Sequence, residues 1–199
     1  MRVNPNYIQL IGDLLIPILG FVFWEWGLYF ILLFILFDAL TVEVFQHVKS
    51  YKILQFTKGN PINWLRLGTL SGLSFLLFLV VLHIALWCTI PAIDFYAELW
   101  KFWSYEDIGI QQGYLLLPIL LFAGYTNYKH TFLVTRKAET MTLNQLWIPS
   151  IKHHTIRIGA CAIWFATASF VTLPLTFWVV LVLLSTAGFR WFTMPGRMQ

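Results

Sequence analysis

Two aspartates, Asp13 and Asp38, stand inside long apolar runs of this sequence. A carboxylate at the centre of a membrane-spanning helix costs about 2.5–3.5 kcal/mol on insertion scales, so an acid in such a place is read by default as functional. Counted from the basic flanks of the two runs, at 1.5 Å per residue, both aspartates sit roughly 9–11 Å deep. Only Trp24-Glu25-Trp26 separates the runs, so they are expected as antiparallel neighbours with their carboxyls at matching height. Pro17 sharpens the expectation. A proline removes the hydrogen bond to the carbonyl four residues earlier, here that of Asp13. A free carbonyl and a carboxyl beside Gly12 are oxygen ligands for a proton, a water or a hard cation. The structural alternative is that Asp13 accepts a bond from another helix and locks packing.

Two further ionisable groups complete the candidate proton or ion site of Asp13, Asp38, Pro17, Glu43 and His83. Glu43 lies about one turn nearer the basic flank than Asp38 and is read as an interfacial partner for Lys49 or a loop arginine. His83 falls in the outer third of the third apolar run. Its ring titrates near neutrality and suits a proton shuttle; the competing role is a neutral ring bonded to a backbone or hydroxyl group.

Other chemistry is poorly supplied. His153-His154, with His130 and His47, form a loose set without metal-ligand spacing. Cys88 and Cys161 are expected at different depths, too far apart for a disulfide. The sequence has no serine elbow, no HExxH run and no glycine-rich phosphate loop. No nucleophile–base pair is legible. The reading therefore expects no catalytic residue, no metal and no cofactor, and leans away from an enzyme.

The elements that must position these groups are membrane helices. The chain of 199 residues is 59% hydrophobic and 11% charged, against about 25% charged in soluble domains. A soluble protein so built would expose large apolar patches. The hydropathy pattern predicts a single all-α transmembrane domain over 1–199, with six spans. They run from about Tyr7 to Trp24, Trp26 to Phe45, Leu67 to Leu86, Ile108 to Tyr125, Ile156 to Leu173 and Pro174 to Phe189, each near the lower length limit of about 17 residues. Four spans plus two re-entrant segments is the alternative. No small-residue cleavage site follows the first run, which is read as a retained span.

Charge orients the bundle. Twelve of the thirteen Lys and Arg residues fall on one side of this topology, and only Lys101 falls on the other. Cytoplasmic loops carry that excess, so both termini are expected in the cytoplasm, in an inner-membrane setting. The same placement removes the need for a nucleic-acid partner to explain the net charge of +4. The outer segment Ile90 to Asp107 is aromatic and acidic and reads as an interfacial amphipathic helix. The inner segment Asn127 to His154 offers Thr140 and Thr142 as helix caps. Small residues such as Gly68, Gly72 and Gly159 suit close helix contacts and imply a homo-oligomer or a subunit of a larger membrane complex.

The stretches Gly12 to Phe21 and Gly113 to Phe122 share seven of ten residues. They open spans of opposite direction, which is the plan of an inverted repeat (1–93 and 108–192) found in transporters; Leu- and Ile-rich runs also match by chance.

The stretch Tyr125 to Leu133, then Leu146-Trp147-Ile148-Pro149 before Ile156-Arg157-Ile158-Gly159, then a closing span from Leu181 to Arg190, resemble a family of uncharacterised bacterial inner-membrane proteins, as does the Pro17 and Trp24 region. That family's closing span usually carries a lysine and an aspartate, which here are replaced around Ser185 to Arg190. The resemblance implies membrane topology and nothing about chemistry. Two functions follow from the residues. One is conduction of protons, cations or a small polar solute through a helix bundle. The other is a non-conducting anchor or sensor whose basic loops hold a cytoplasmic protein.

Overall fold

The computed structural model describes residues 15–58, 60–104, 106–107 and 110–193, and these form helices joined by short turns, with one two-residue strand pair. Helix α1 covers 15–23. It is followed by α2 (Leu28–Thr57), α3 (Pro61–Thr89), α4 (Phe95–Ser104), α5 (Gln112–Tyr128), α6 (Lys137–Thr140), α7 (Leu143–Phe170) and α8 (Leu175–Thr193). Glu106–Asp107 pairs antiparallel with Ile110–Gln111 between α4 and α5. Asp13 and Gly12 lie outside the described residues.

Local sequence sets most helix ends. Glu25 turns the chain between α1 and α2 with φ 51°, while Trp24 N and Trp26 N both donate to Gly20 O. Asn60 caps α3 through its side chain, with Pro61 at the first helical position, the place where a missing N–H costs nothing. Thr142 opens α7 with a reciprocal capping box to Gln145, which satisfies two donors that a bare helix end would leave open. Asp94 Oδ1 accepts from Tyr96 N and Ala97 N, both at 3.0 Å, and so starts α4.

Helix α2 is the hub, in contact with α3, α4, α5, α6, α7 and α8. Its first residues from Leu28 to Phe34 are all buried, as expected of a helix surrounded on every side. Among the described residues two helices, α2 and α3, are long and apolar enough to cross a membrane, and the Leu175–Gly188 part of α8 is a shorter apolar stretch.

The most extensive pairing joins α3 to α7. Gly68 meets Trp147, Ser71 meets Ser150, Phe75 meets His154 and Phe78 meets Arg157. Each pair is 79 residues apart, so the two helices run parallel at constant register. Buried positions step by three and four along α3 (Gly68, Ser71, Phe75, Phe78, Leu82 and Ala85) and, with half-buried Arg157 between His154 and Cys161, along α7 (Trp147, Ser150, His154, Cys161 and Trp164). That spacing is a coiled-coil seam. Against α3, α2 runs antiparallel: Trp64 Nε1 donates to Ser50 Oγ at 2.8 Å, and Tyr29 reaches His83 near the other end.

Three expectations shift. The segment Gln46 to Arg66 is not a long loop, because α2 continues to Thr57 and α3 begins at Pro61. Lysines that end a hydrophobic run do not end a helix. Arg157 does not open a span at the inner surface. The Thr142 cap starts α7 well before it, so Arg157 sits midway along the helix over the Phe78 ring, 5.7 Å from its centroid. The outer segment is a helix, but its Phe102 is buried in the core while Tyr96 and Trp100 stay exposed.

Candidate functional site

Glu43 lies fourteen residues after Tyr29 on α2, and the antiparallel α2–α3 register puts it beside Ser71. The sequence reading placed it at the interface beside Lys49. The structure instead closes it inside the α2–α3–α7 junction, where it is only 6% exposed. His154 Nε2 lies 3.1 Å from Glu43 Oε2. Ser150 Oγ donates to the same oxygen at 3.4 Å, and Ser71 Oγ donates to Ser150 Oγ at 3.5 Å. From the other side, His47 Nε2 lies 3.7 Å from Glu43 Oε1.

The local reasons are helical. Glu43 and His47 are four residues apart on one face of α2, and Ser150 and His154 four apart on one face of α7. The parallel register of α3 and α7 then brings Ser71 and Phe75 against Ser150 and His154. Two rings hold the imidazoles: Phe75 packs edge-on to His154 at 5.4 Å, and Trp147 edge-on to His47 at 4.8 Å. Gly68 makes room for the second contact. A Cβ there would stand 3.1 Å from His47 Cε1 and 3.6 Å from the Trp147 ring.

The polar atoms are not all engaged. Glu43 Oε1, Gln46 Oε1, Trp147 Nε1 and His154 Nδ1 are buried without a hydrogen-bond partner. A buried polar atom left open costs about 1–3 kcal/mol, and such atoms call for a reason. Here the open positions are a carboxylate oxygen, an amide oxygen, an indole N–H and an imidazole nitrogen.

The arrangement is not a hydrolase triad. Ser150 and His154 both address the carboxylate, and no bond joins the serine to the imidazole among the described residues. A nucleophile needs its base in contact. Nor do the described residues include a cluster of three metal-ligating side chains in binding geometry.

The remaining candidates lie elsewhere. Asp38 is half-buried on α2, and five residues from Glu43 it projects about 140° around the helix. Pro17 is fully buried in α1, but the Asp13 carbonyl that it would free is outside the described residues. His83 is bound on both nitrogens: Nδ1 lies 2.8 Å from Leu79 O, and Nε2 lies 3.2 Å from Tyr29 Oη. Between His83 and His154 the seam is filled by Phe78 and Leu82. His154 and His47 were dismissed as metal ligands in the sequence reading, and their service to one carboxylate was missed. The signal was present as i,i+4 spacing on two helices, but only the fold joins them.

No protein-family model, curated protein or solved structure matches this chain.

Proposed function

We propose that this chain is a six-span membrane protein, with both termini on the side of its basic end, that carries protons across a cytoplasmic membrane by way of Glu43. The observation that carries the reading is a carboxylate 6% exposed between two histidines, on a helix apolar enough to cross a membrane. Intramembrane acids paired with histidine are the usual parts of proton relays.

The helix directions support the orientation. Lys49, Lys52 and Lys58 lie in the last third of α2 or just beyond it, Arg66 lies in the second turn of α3, and Lys129, Arg136 and Lys137 lie between α5 and α7. The antiparallel α2–α3 register and the packing of α6 on α2 collect these residues at one end. Glu25, Asp94 and Glu98 lie toward the opposite end. Between the two ends, α3 shows Leu70, Leu73, Leu76, Leu77 and Val80 on its surface, where lipid removes the cost of exposure.

The apolar stretch of Phe78 and Leu82 above the cluster supports a transporter that alternates rather than an open pore. It also favours the second reading, a non-conducting anchor whose basic loops hold a cytoplasmic partner. Proteoliposomes with a pH dye inside separate the two. Flux in the parent, lost in E43Q and kept in D38N, supports transport through Glu43. Flux lost in D38N but kept in E43Q moves the site to the aspartates. A parent that passes no protons under any gradient leaves the anchor.

A further inference from the structure

Beside the buried cluster, an open groove of about 400 Å³ runs along α3. Trp64, Leu65, Thr69 and Leu73 form its walls, and His47 and Gly68 lie against its floor. His47 is the one member of the cluster that reaches both environments. Its side chain is 42% exposed, against 7% for Glu43 and 4% for His154. Its Nε2 points to Glu43 Oε1, the carboxylate oxygen that has no hydrogen bond.

We propose that His47 is the proton port of the cluster, passing protons between the α3 groove and Glu43. The proposal rests on Glu43 being a proton-binding site, and it adds the route and the gate. In the inward step the His47 imidazolium gives its Nε2 proton to Glu43 Oε1, leaving a neutral ring and a carboxylic acid. The ring keeps its Nδ1 proton and regains one at Nε2 once it turns to meet hydronium in the groove. The Glu43 carboxyl must then turn to bring that proton to His154 Nε2, which lies 3.1 Å from Oε2.

The separation of 3.7 Å between His47 and Glu43 is longer than a hydrogen bond. A small rotation of the ring must close it before transfer. Gly68 permits that rotation, because any side chain there would press on His47 Cε1 from 3.1 Å. Few other charges compete. Glu43 faces His47 from its own helix, and His154 lies across the carboxylate on α7. The α3 residues along the groove (Trp64, Leu65, Gly68, Thr69 and Gly72) carry no titratable group.

The test uses the full chain in lipid nanodiscs. A pH jump is followed by the infrared carbonyl band of protonated carboxyl, assigned to Glu43 by its loss in E43Q. In the parent the band should appear quickly. In H47A it should appear slower by on the order of a hundredfold, and added free imidazole, small enough for the groove, should restore the rate. G68V should slow it without changing the final amplitude, and H47A should unfold at a temperature close to that of G68V. A band that rises in H47A at the parent rate overturns the port, as does a parent with no Glu43 band between acid and alkaline limits. Flux is a separate readout. His47-dependent kinetics without flux would retain the port and remove transport, while Glu43-dependent flux that ignores His47 would do the opposite.

Discussion

His154 and Glu43 meet at 3.1 Å across 111 residues of sequence, and that contact ties α7 to α2. Removing one partner leaves the other buried and open, which typically costs about 1–3 kcal/mol. Replacing both with apolar groups of similar size can be nearly neutral. Thermal unfolding in mild detergent should therefore show H154F and E43L each less stable than the parent, with the double variant recovering most of the loss. Additive losses in the double variant would mean that the two side chains do not interact.

Thr142 decides where α7 begins, and so which residues of α7 face α3. Its hydroxyl accepts from Gln145 N at 3.3 Å, and Gln145 Oε1 accepts from Thr142 N at 2.8 Å. Thr142→Ala should lower stability by roughly 0.5–2 kcal/mol, the usual loss for a cap. Amide exchange should report the loss as faster opening of Leu143 to Trp147, with the Phe170 end unchanged. Uniform acceleration along α7 would show that the cap does not govern the local opening.

The helical class and the two long apolar helices, α2 and α3, were legible because hydropathy and caps are local. The Trp24–Trp26 turn, the Thr142 cap and the amphipathic stretch ending at Ser104 could all be read from neighbours in the chain. The lengths of α2 and α3 were less legible, since Lys49 and Lys52 look like a boundary although a helix carries charges readily once outside hydrocarbon. Asn60-Pro61 was the overlooked local signal, a cap followed by proline. The site was the least legible. Glu43 and His47 are spaced for one face, and so are Ser150 and His154, but nothing local says that the two faces meet. That depends on α3 and α7 running parallel at an offset of 79 residues, which a single sequence does not display.

Gly124 marks the closest approach of α5 to α2. A Cβ there would lie 2.6 Å from Thr41 Cγ2 and 2.7 Å from Phe45 Cε2. Those distances are too short to absorb unless the Thr41 and Phe45 side chains or α5 itself shift. Gly124→Ala should destabilise the protein by about 1–3 kcal/mol, as overpacking does, despite the better helix propensity of alanine. The same change at Gly72, where nothing stands within 4 Å, should be neutral or slightly stabilising. Equal melting temperatures for the two variants would show that α5 does not pack this closely.

Topology is the prediction with the widest consequence, because it fixes which compartment the groove beside His47 faces. Lys58 turns the chain between α2 and α3, and Lys137 opens α6, which packs on α2. Both belong to the basic end, whereas Glu98 sits on α4 with Lys101 as its partner at 2.9 Å. Cytoplasmic segments gather Lys and Arg, so the first two positions should face the cytoplasm and the third the outside. With Cys88 and Cys161 replaced by alanine, single cysteines at positions 58 and 137 should resist an impermeant thiol reagent in intact cells and react after lysis. A cysteine at 98 should react in both. Labelling of position 58 in intact cells would invert the molecule and put the groove beside His47 on the outside. Labelling of 58 and 98 together would break the antiparallel arrangement of spans on which the orientation rests.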